Sequence, residues 1–257
     1  MSSVTVHDIS KIFPGVDHGD VSVTALQNVN FSVADNEFCS LLGHSGCGKT
    51  TLLTMIAGFE TPTTGKLLVD DRPVGKPSWE RSVIFQDYAL FPWLTVEGNI
   101  GFGLEMKKIP KAERERIVAE YIDLVGLGGF ERRYPHQLSG GMKQRVSIAR
   151  ALAVNPRVLL MDEPFAALDA QNRGLMQREM VRIWEKARKT VVLVTHSIEE
   201  AITLSDRIVV MTRRPGTVKA NIVVDLPRPR DEDDPGFLAL RRRIRELIHD
   251  EDETRPA

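Results

Sequence analysis

Two glycine-rich turns in this chain have the residue types needed to cradle phosphate, Gly43-His44-Ser45-Gly46-Cys47-Gly48-Lys49-Thr50 and Leu138-Ser139-Gly140-Gly141-Met142-Lys143-Gln144-Arg145. The first fits the pattern G-x-x-x-x-G-K-[ST]. Its glycines let backbone N–H groups wrap the phosphates, Lys49 reaches the outer phosphates, and the Thr50 hydroxyl can ligate a magnesium ion. Gly43, Ser45, Gly46, Cys47, Gly48, Lys49, Thr50 and Thr51 are therefore the candidate phosphate-binding positions. The second turn offers only a hydroxyl, on Ser139, and bare amides, at Gly140 and Gly141, where a helix begins. It is half a site, which makes sense if it covers a nucleotide held by another copy of the same chain.

Three further segments carry polar chemistry at the ends of apolar runs. Asp162-Glu163 follows Val158-Leu159-Leu160-Met161, so Asp162 can hold magnesium through its water shell. Glu163, pointing differently from its neighbour, can face the γ-phosphate and orient an attacking water. Gln86 follows Ser82-Val83-Ile84-Phe85 and can reach the metal or the water through its amide. His196 follows Val191-Val192-Leu193-Val194-Thr195, and Ser197 with Glu200 makes an S-x-x-E capping signature for the next helix. A solvated turn, an ordinary loop glutamine and a structural histidine are the competing readings, and a complete phosphate loop in the same chain weighs against them.

The elements that must position these groups can be read from periodicity. Phe38-Cys39-Ser40-Leu41-Leu42, the glycine turn and the apolar stretch Thr51 to Ala57, stopped by Gly58, predict strand, phosphate loop and helix. The runs at 158–161 and 191–194 are nearly all apolar, as strands buried on both faces of a parallel sheet are. Ligands of open α/β sheets sit beyond the carboxyl ends of the strands, so these polar residues should converge on one crevice. Val4-Thr5-Val6 and Val29-Asn30-Phe31-Ser32-Val33 alternate as half-buried antiparallel strands do, predicting a small β layer up to Glu37. From about 87 to 156 the pattern turns helical, with an apolar face at Ile117, Tyr121, Leu124 and Val125, which predicts a helical subdomain inserted into the sheet domain. After a Pro-Arg-Pro-Arg linker, Phe237, Leu240, Ile244, Leu247 and Ile248 mark an amphipathic helix.

At 257 residues and 42% hydrophobic, the chain can bury a full core without disulfides or metals. Its formal net charge of -1 gives no basic field of the kind that displaces counterions from nucleic acid, so that partner class is disfavoured. No apolar stretch approaches the roughly 18 residues that a membrane span requires, and Met1 to Val6 lacks a basic region before an apolar core. A protein that stays in the cytoplasm is expected. Cys39 and Cys47 are read as free thiols, since a disulfide beside the phosphate loop would distort it. A thiol beside a helix N-terminus tends toward a lowered pKa, so Cys47 is expected to alkylate in the empty protein and to be protected by nucleotide.

Taken in order, these motifs resemble the ATP-binding subunit of ABC transporters over nearly the whole chain. By that resemblance Gly43 to Thr50 is the phosphate loop, Gln86 the Q-loop residue, Leu138 to Gln144 the signature, Asp162-Glu163 the end of the Walker B strand, Ala166-Ala167-Leu168-Asp169 the D-loop, and His196 the switch histidine. The family implies a P-loop NTPase of the α/β class, with a RecA-like core, an antiparallel β subdomain and the inserted helical subdomain. Residues 1–230 would form the ATPase domain and 231–257 a C-terminal helix and tail. It also implies ATP and Mg2+ as ligands, with two copies sandwiching two ATP molecules so that Ser139 and Gly141 of one contact the γ-phosphate held at Lys49 of the other. Ala166 departs from the serine or glycine usual at that position, leaving backbone and Asp169 for contacts across the dimer. Phe13, in Lys11-Ile12-Phe13-Pro14, is the candidate adenine-stacking aromatic, with a core phenylalanine as the alternative.

Phe85, Tyr88, Phe91 and Trp93 crowd into residues 85–93 of a chain that is only 6% aromatic. Pro92 argues against a central strand there, and a loop of large apolar groups beside Gln86 is a candidate docking surface. In ABC importers this region receives a short cytoplasmic helix of an integral membrane permease. The segments Leu90 to Val96, Asp162 to Phe165 and Arg213-Arg214-Pro215-Gly216 look like the nitrate, sulfonate and taurine importer subfamily. The resemblance implies peripheral attachment to the cytoplasmic face of the cell membrane and an indirect link to a solute-binding protein. An exporter or lipid-trafficking ATPase of the same family, or a non-transport one, is the alternative. The latter class usually shows coiled coils, zinc-binding cysteines or two complete cassettes, none of which occurs here.

Overall fold

The computed structural model describes residues 2–15 and 21–249. It divides into two compact units, one built from the chain up to Pro77 together with the chain from Thr190 onward, the other from Ser78–Lys189. The first unit begins with strands β1 (Val4–Phe13), β2 (Val23–Val33) and β3 (Phe38–Leu42), helix α1 (Lys49–Ala57), and strands β4 (Thr64–Val69) and β5 (Arg72–Pro73). The second holds β6 (Arg81–Ile84), α2 (Val96–Met106), α3 (Lys111–Leu124), a 3-10 turn at Pro135–Gln137, α4 (Gly140–Ala153), β7 (Val158–Asp162) and α5 (Ala170–Ala187). The chain then returns to the first unit with β8 (Thr190–Thr195), α6 (Ile198–Leu204), β9 (Arg207–Met211), β10 (Val218–Val223) and α7 (Pro235–His249).

In the first unit an antiparallel sheet of order β2-β1-β4-β5 forms the expected β layer. Val4, Val6, Val29, Phe31 and Val33 point into its core, as their alternation requires. Beside it, β3 lies between two parallel neighbours, β8 and β9, and β10 closes against β9 in the antiparallel sense. Every residue of β3 and β8 is buried, which is why both read as unbroken apolar runs rather than alternating ones. Helix α7 covers this sheet with the face that the sequence marks. Phe237 and Ile244 are buried among Leu42, Ala201, Ile202, Ile208, Val210 and Ile222, and Leu240, Leu247 and Ile248 pack at the margin. Residues 250–257 of the expected tail lie outside the described residues.

In the second unit β6 and β7 form a parallel pair, and α2, α3 and α4 pack on one another. The buried stripe of α3 is Val118 and Ile122, continued by Val125 just past its end, with Ile117, Tyr121 and Leu124 only half-buried. The sequence pattern marked the half-buried row because two adjacent rows on one helix both satisfy the i, i+4, i+7 spacing. Before α2 the chain makes a loop, as Pro92 requires. That loop is organised by a fully buried amide: Asn99 accepts from the Phe91 N–H and donates to the carbonyls of Phe91, Leu94 and Thr95. Thr95 caps α2 by accepting from the Gly98 N–H. Replacing Asn99 with Ala would strand the Phe91 backbone groups without their partner. It should destabilise the second unit by about 2–3 kcal/mol in denaturant unfolding, with amide exchange accelerated first at residues 91–95.

Candidate nucleotide site

The phosphate loop bridges β3 and α1, and its shape is imposed by what surrounds it. Gly48 precedes the first helical residue at φ 97, a left-handed conformation, and a Cβ there would lie 2.6 Å from Leu26 Cδ2 and 3.0 Å from the Ala25 carbonyl. Gly216, in the turn between β9 and β10, approaches the loop so closely that a Cβ would stand 2.0 Å from the Cys47 carbonyl. That turn is pinned to β2 by the Gly216 N–H to Ala25 O and Gln27 N–H to Gly216 O hydrogen bonds. The loop is thus gripped between β2 and the β9–β10 turn, and α1 starts directly at its end. A helix N-terminus of this kind favours anions through its amides and its dipole.

Lys49 is only 4% exposed. Its Nζ donates to the carbonyls of Gly43 at 2.8 Å and His44 at 2.7 Å and lies 3.7 Å from Cys47 Sγ. The ammonium is therefore held over the loop, where the outer phosphates of a bound nucleotide would take up its donors. Thr50 is exposed in the first turn of α1 and Thr51 follows it, half-buried. Cys47 departs from expectation. Its thiol is packed inside the loop with the residue 1% exposed, so alkylating reagents have no direct access to it even in the empty protein. Cys39 is buried in β3, and burial pushes its thiol well above the ordinary range.

Parallel strands bring further groups to the same edge. Leu42 pairs with Thr195, so Gly43 and His196 leave the sheet side by side at the carboxyl ends of β3 and β8. His196 is exposed, and Ser197 caps α6 by accepting from the Glu200 N–H, while its own N–H goes to Thr195 Oγ1. β9, also parallel to β3, ends at Met211 and delivers Arg213 and Arg214 beside the loop. Arg214 donates from Nε and Nη2 to the Gly46 carbonyl at 3.4 and 3.3 Å. Together with His44, Ser45, Gly46 and Arg213 it lines an open pocket of about 550 Å3. Sequence reasoning did not count this arginine pair as part of the site. An apolar run precedes both residues, but nothing local says that this run lies parallel beside β3, which is what brings them to the loop. Phe13 ends β1 opposite Val23 on β2, three residues from the Leu26 that walls Gly48. It is 36% exposed and carries the Lys11 ammonium 4.9 Å from its ring centroid, an arrangement that leaves a ring edge and face to a planar partner.

The second unit gathers the other group of residues that the sequence singled out. Ile84 pairs with Met161, so Gln86 and the Asp162-Glu163 pair leave the same edge of β6 and β7. Asp162 is still in strand geometry and half-buried, whereas Glu163 turns to φ 43, a strained conformation for a residue with a side chain. Tyr88 and Ala89, just after Gln86, are also left-handed. They are fastened to α4, with Ser147 donating to the Tyr88 carbonyl and Arg150 to the carbonyls of Tyr88 and Ala89. Burial lowers the pKa of Arg150. At the other end of α4, Ser139 is the cap, its hydroxyl accepting from the Met142 N–H. A Cβ on Gly140 would meet Tyr88 Oη at 3.3 Å and Leu168 Cδ2 at 3.5 Å, so the signature turn sits between the Q-loop and the D-loop. Asp169, exposed, caps α5 through the Asn172 backbone N–H and side-chain amide, and those two bonds hold its carboxyl below the usual range. Arg173 closes the D-loop by donating to the carbonyls of Phe165 and Leu168. Phosphate loop, His196 and Phe13 thus belong to one unit, and Gln86, the signature, Asp162, Glu163 and Asp169 to the other.

A glycine-rich loop between a doubly buried parallel strand and a helix, with polar groups at the carboxyl ends of its neighbours, defines a P-loop NTPase. A family model described as ABC transporter matches residues 26–166. An uncharacterized ABC transporter ATP-binding protein of Methanocaldococcus jannaschii is 53% identical over 246 residues, covering 96% of this chain and 91% of that protein. The nitrate import ATP-binding protein NrtD of Synechocystis is 44% identical, covering 90% and 85% of the two chains. The bicarbonate transport ATP-binding protein CmpC of Synechococcus elongatus is 48% identical over 94% of this chain, which spans 37% of that longer protein. Among solved structures, the dimeric ATP-binding cassette MJ0796 bound to ADP and Pi superposes with a TM-score of 0.73 at 31% identity, covering 87% of this chain and all of that one. The chain belongs to the ABC transporter ATP-binding family and is an ATPase of the kind that powers transport. Its fold is the α/β cassette with an antiparallel β subdomain and a helical insertion. No helix among the described residues is long and apolar enough to cross a membrane.

The close packing of the β9–β10 turn on the loop gives a direct test. Gly216→Ala must push the turn away from the Cys47 carbonyl, and nucleotide affinity measured by fluorescent-ATP titration should fall at least tenfold while the circular dichroism spectrum is kept.

Proposed function

We propose that the chain is the ATP-hydrolysing subunit of an importer for a small oxyanion, of the nitrate, sulfonate or taurine kind, working as an ATP-sandwich homodimer beneath a separate permease. The observation that carries this reading is the division of the chemistry. The chain has one complete phosphate loop and, in its other unit, a second capped helix start, at Ser139 to Gly141, with free amides and no lysine. In the proposed dimer Ser139 and Gly141 of one copy close over the γ-phosphate held at Lys49 of its partner, and two composite sites result. The dimeric cassettes among the similar structures support this arrangement. Import is supported by the nitrate import protein, which this chain matches over most of both lengths.

Within each site, the loop amides and Lys49 hold the triphosphate, and Phe13 stacks on the adenine. Glu163 accepts a hydrogen bond from the attacking water and aligns it with the γ-phosphorus; Gln86 and His196 donate toward the water and a γ-oxygen. Catalysis is then mostly positioning and charge stabilisation in a closed pocket. The donor set suits magnesium. Thr50 and Asp162 are hard oxygen ligands, and no group of three His, Cys, Asp or Glu side chains among the described residues makes a cage for another metal. Held by Thr50 and Asp162, magnesium would supply positive charge to the phosphates. Loss of the γ-phosphate removes what joins the two copies, so hydrolysis opens the dimer.

The docking surface for the permease is narrower than the aromatic cluster of the loop before α2. Phe91 is a packing residue, its ring 4.4 Å from Phe102 and 5.4 Å from the Arg150 guanidinium. Trp93 meets it in a tilted ring contact at 5.5 Å and is 69% exposed, with Phe85 also exposed nearby in sequence. Large aromatics held rigidly in the open are typical anchors of an interface.

Three experiments test the reading. In ATP and magnesium, Glu163→Gln should be a stable dimer by light scattering with turnover reduced at least a hundredfold, and Lys49→Ala should lose nucleotide binding. A monomeric Glu163→Gln protein would overturn the sandwich. Trp93→Ala should keep ATP affinity within twofold yet fail to co-purify with its permease; undiminished co-purification would remove Trp93 from the interface. Vesicles holding the complex and a solute-binding protein should take up labelled solute on ATP addition, whereas ATP-driven extrusion would replace import with export.

A further inference from the structure

Helix α6 follows His196 directly, yet it is only seven residues long, Ile198–Leu204, too short to be stable by itself. It packs on the sheet through Ala201 and Ile202, and its C-terminal end is held by the segment after β10. Arg230 donates from Nη1 to the carbonyls of Ile202 and Ser205, and from Nε and Nη2 to those of Leu226 and Val224. Arg228 donates to the Leu204 carbonyl and to Asp206 Oδ1, both at 2.6 Å. Two guanidinium groups therefore take up the carbonyls at the C-terminal end of α6, where the helix dipole also favours cations. Burial, and then the neighbouring Arg228, lower the pKa of Arg230 to about 10, so it remains charged at neutral pH.

The other side of the clamp is apolar. Phe237 and Ile244 of α7 are buried against Ala201 and Ile202, and Arg241 approaches Glu199 in the first turn of α6 at 3.9 Å. The clamp is anchored to the strand that precedes the phosphate loop. Asp206, paired with Arg228, accepts the Phe38 N–H at the start of β3, and the hydroxyls of Ser205 and Ser40 are hydrogen-bonded inside the core. A continuous set of hydrogen bonds and apolar contacts thus joins the tail, α6 and β3, and His196 stands at its rim beside Gly43.

We propose that Arg228 and Arg230, with helix α7, are positioning residues for hydrolysis: they fix the short helix α6 and thereby the place of His196 against the γ-phosphate. This rests on the reading of His196 as a group that faces that phosphate. The tail acts on the chemical step and leaves nucleotide capture, which belongs to the phosphate loop, unaffected.

The test is a double-mutant cycle on the full chain, following phosphate release. Arg230→Met, which keeps the apolar stem, should lower kcat about tenfold with KM for ATP and the affinity for fluorescent ATP within twofold. In a His196→Ala background the same substitution should change the residual kcat less than twofold. Arg228→Gln should repeat the pattern with a smaller loss, and it serves if Arg230→Met does not fold. Equal factors lost in both backgrounds, or an unchanged kcat in the wild-type background, would overturn the positioning role and leave the tail as a purely structural brace. A normal rate for His196→Ala alone would bring down the reading of His196 itself. A slow His196→Ala enzyme that Arg230→Met affects no differently from the wild type would bring down only the clamp.

Discussion

The structure depends on the close backbone approach around the phosphate loop. Its N–H groups can converge on an anion only if the chain turns sharply between β3 and α1, and that turn is held from both sides at distances that exclude side chains. Ala25 and Leu26 stand against Gly48 on one side, and Gly216 stands against Cys47 on the other. Lys49 then bonds the carbonyls of the turn it belongs to. The antiparallel β layer thus helps to shape the phosphate loop, because β2 supplies one wall. The β9–β10 turn supplies the other and adds Arg214, whose guanidinium sits on the Gly46 carbonyl.

The second unit solves a different problem. Its polar groups do not enclose a ligand by themselves but are held in strained, ordered positions. Glu163, Tyr88 and Ala89 adopt left-handed backbone conformations that side chains disfavour, and the hydrogen bonds of Ser147 and Arg150 secure the last two. Strain of this kind persists only where the surroundings over-determine it. The same helix that secures the Q-loop begins at Ser139, so the Q-loop and the signature turn are mechanically one piece. The loop carrying Trp93 touches that helix through Phe91 and Arg150, so the exposed indole and the signature turn are joined by direct contacts.

The C-terminal segment ties the first unit together around α6. A helix of seven residues contributes little by itself, and two arginines at one end and the apolar face of α7 add to its packing on the sheet. The guanidinium heads of Arg228 and Arg230 reach backbone carbonyls of Leu204, Ile202 and Ser205.

Local chemistry was legible in the sequence wherever it is carried by contiguous residues. The phosphate loop, the caps at Ser139 and Ser197, the buried strands β3, β7 and β8 and the apolar face of α7 all follow from short-range spacing, because helix and strand periods and glycine torsions are properties of neighbouring residues. The buried row of α3 was legible only to within one position, since its two adjacent rows are equally apolar. Burial of the Cys47 thiol, the packing of Phe91 against Phe102 and Arg150, and the arrival of Arg213 and Arg214 beside the phosphate loop were decided by the tertiary structure alone. Each depends on which distant strand lies alongside which, and that pairing is a property of the folded sheet that no stretch of contiguous sequence encodes.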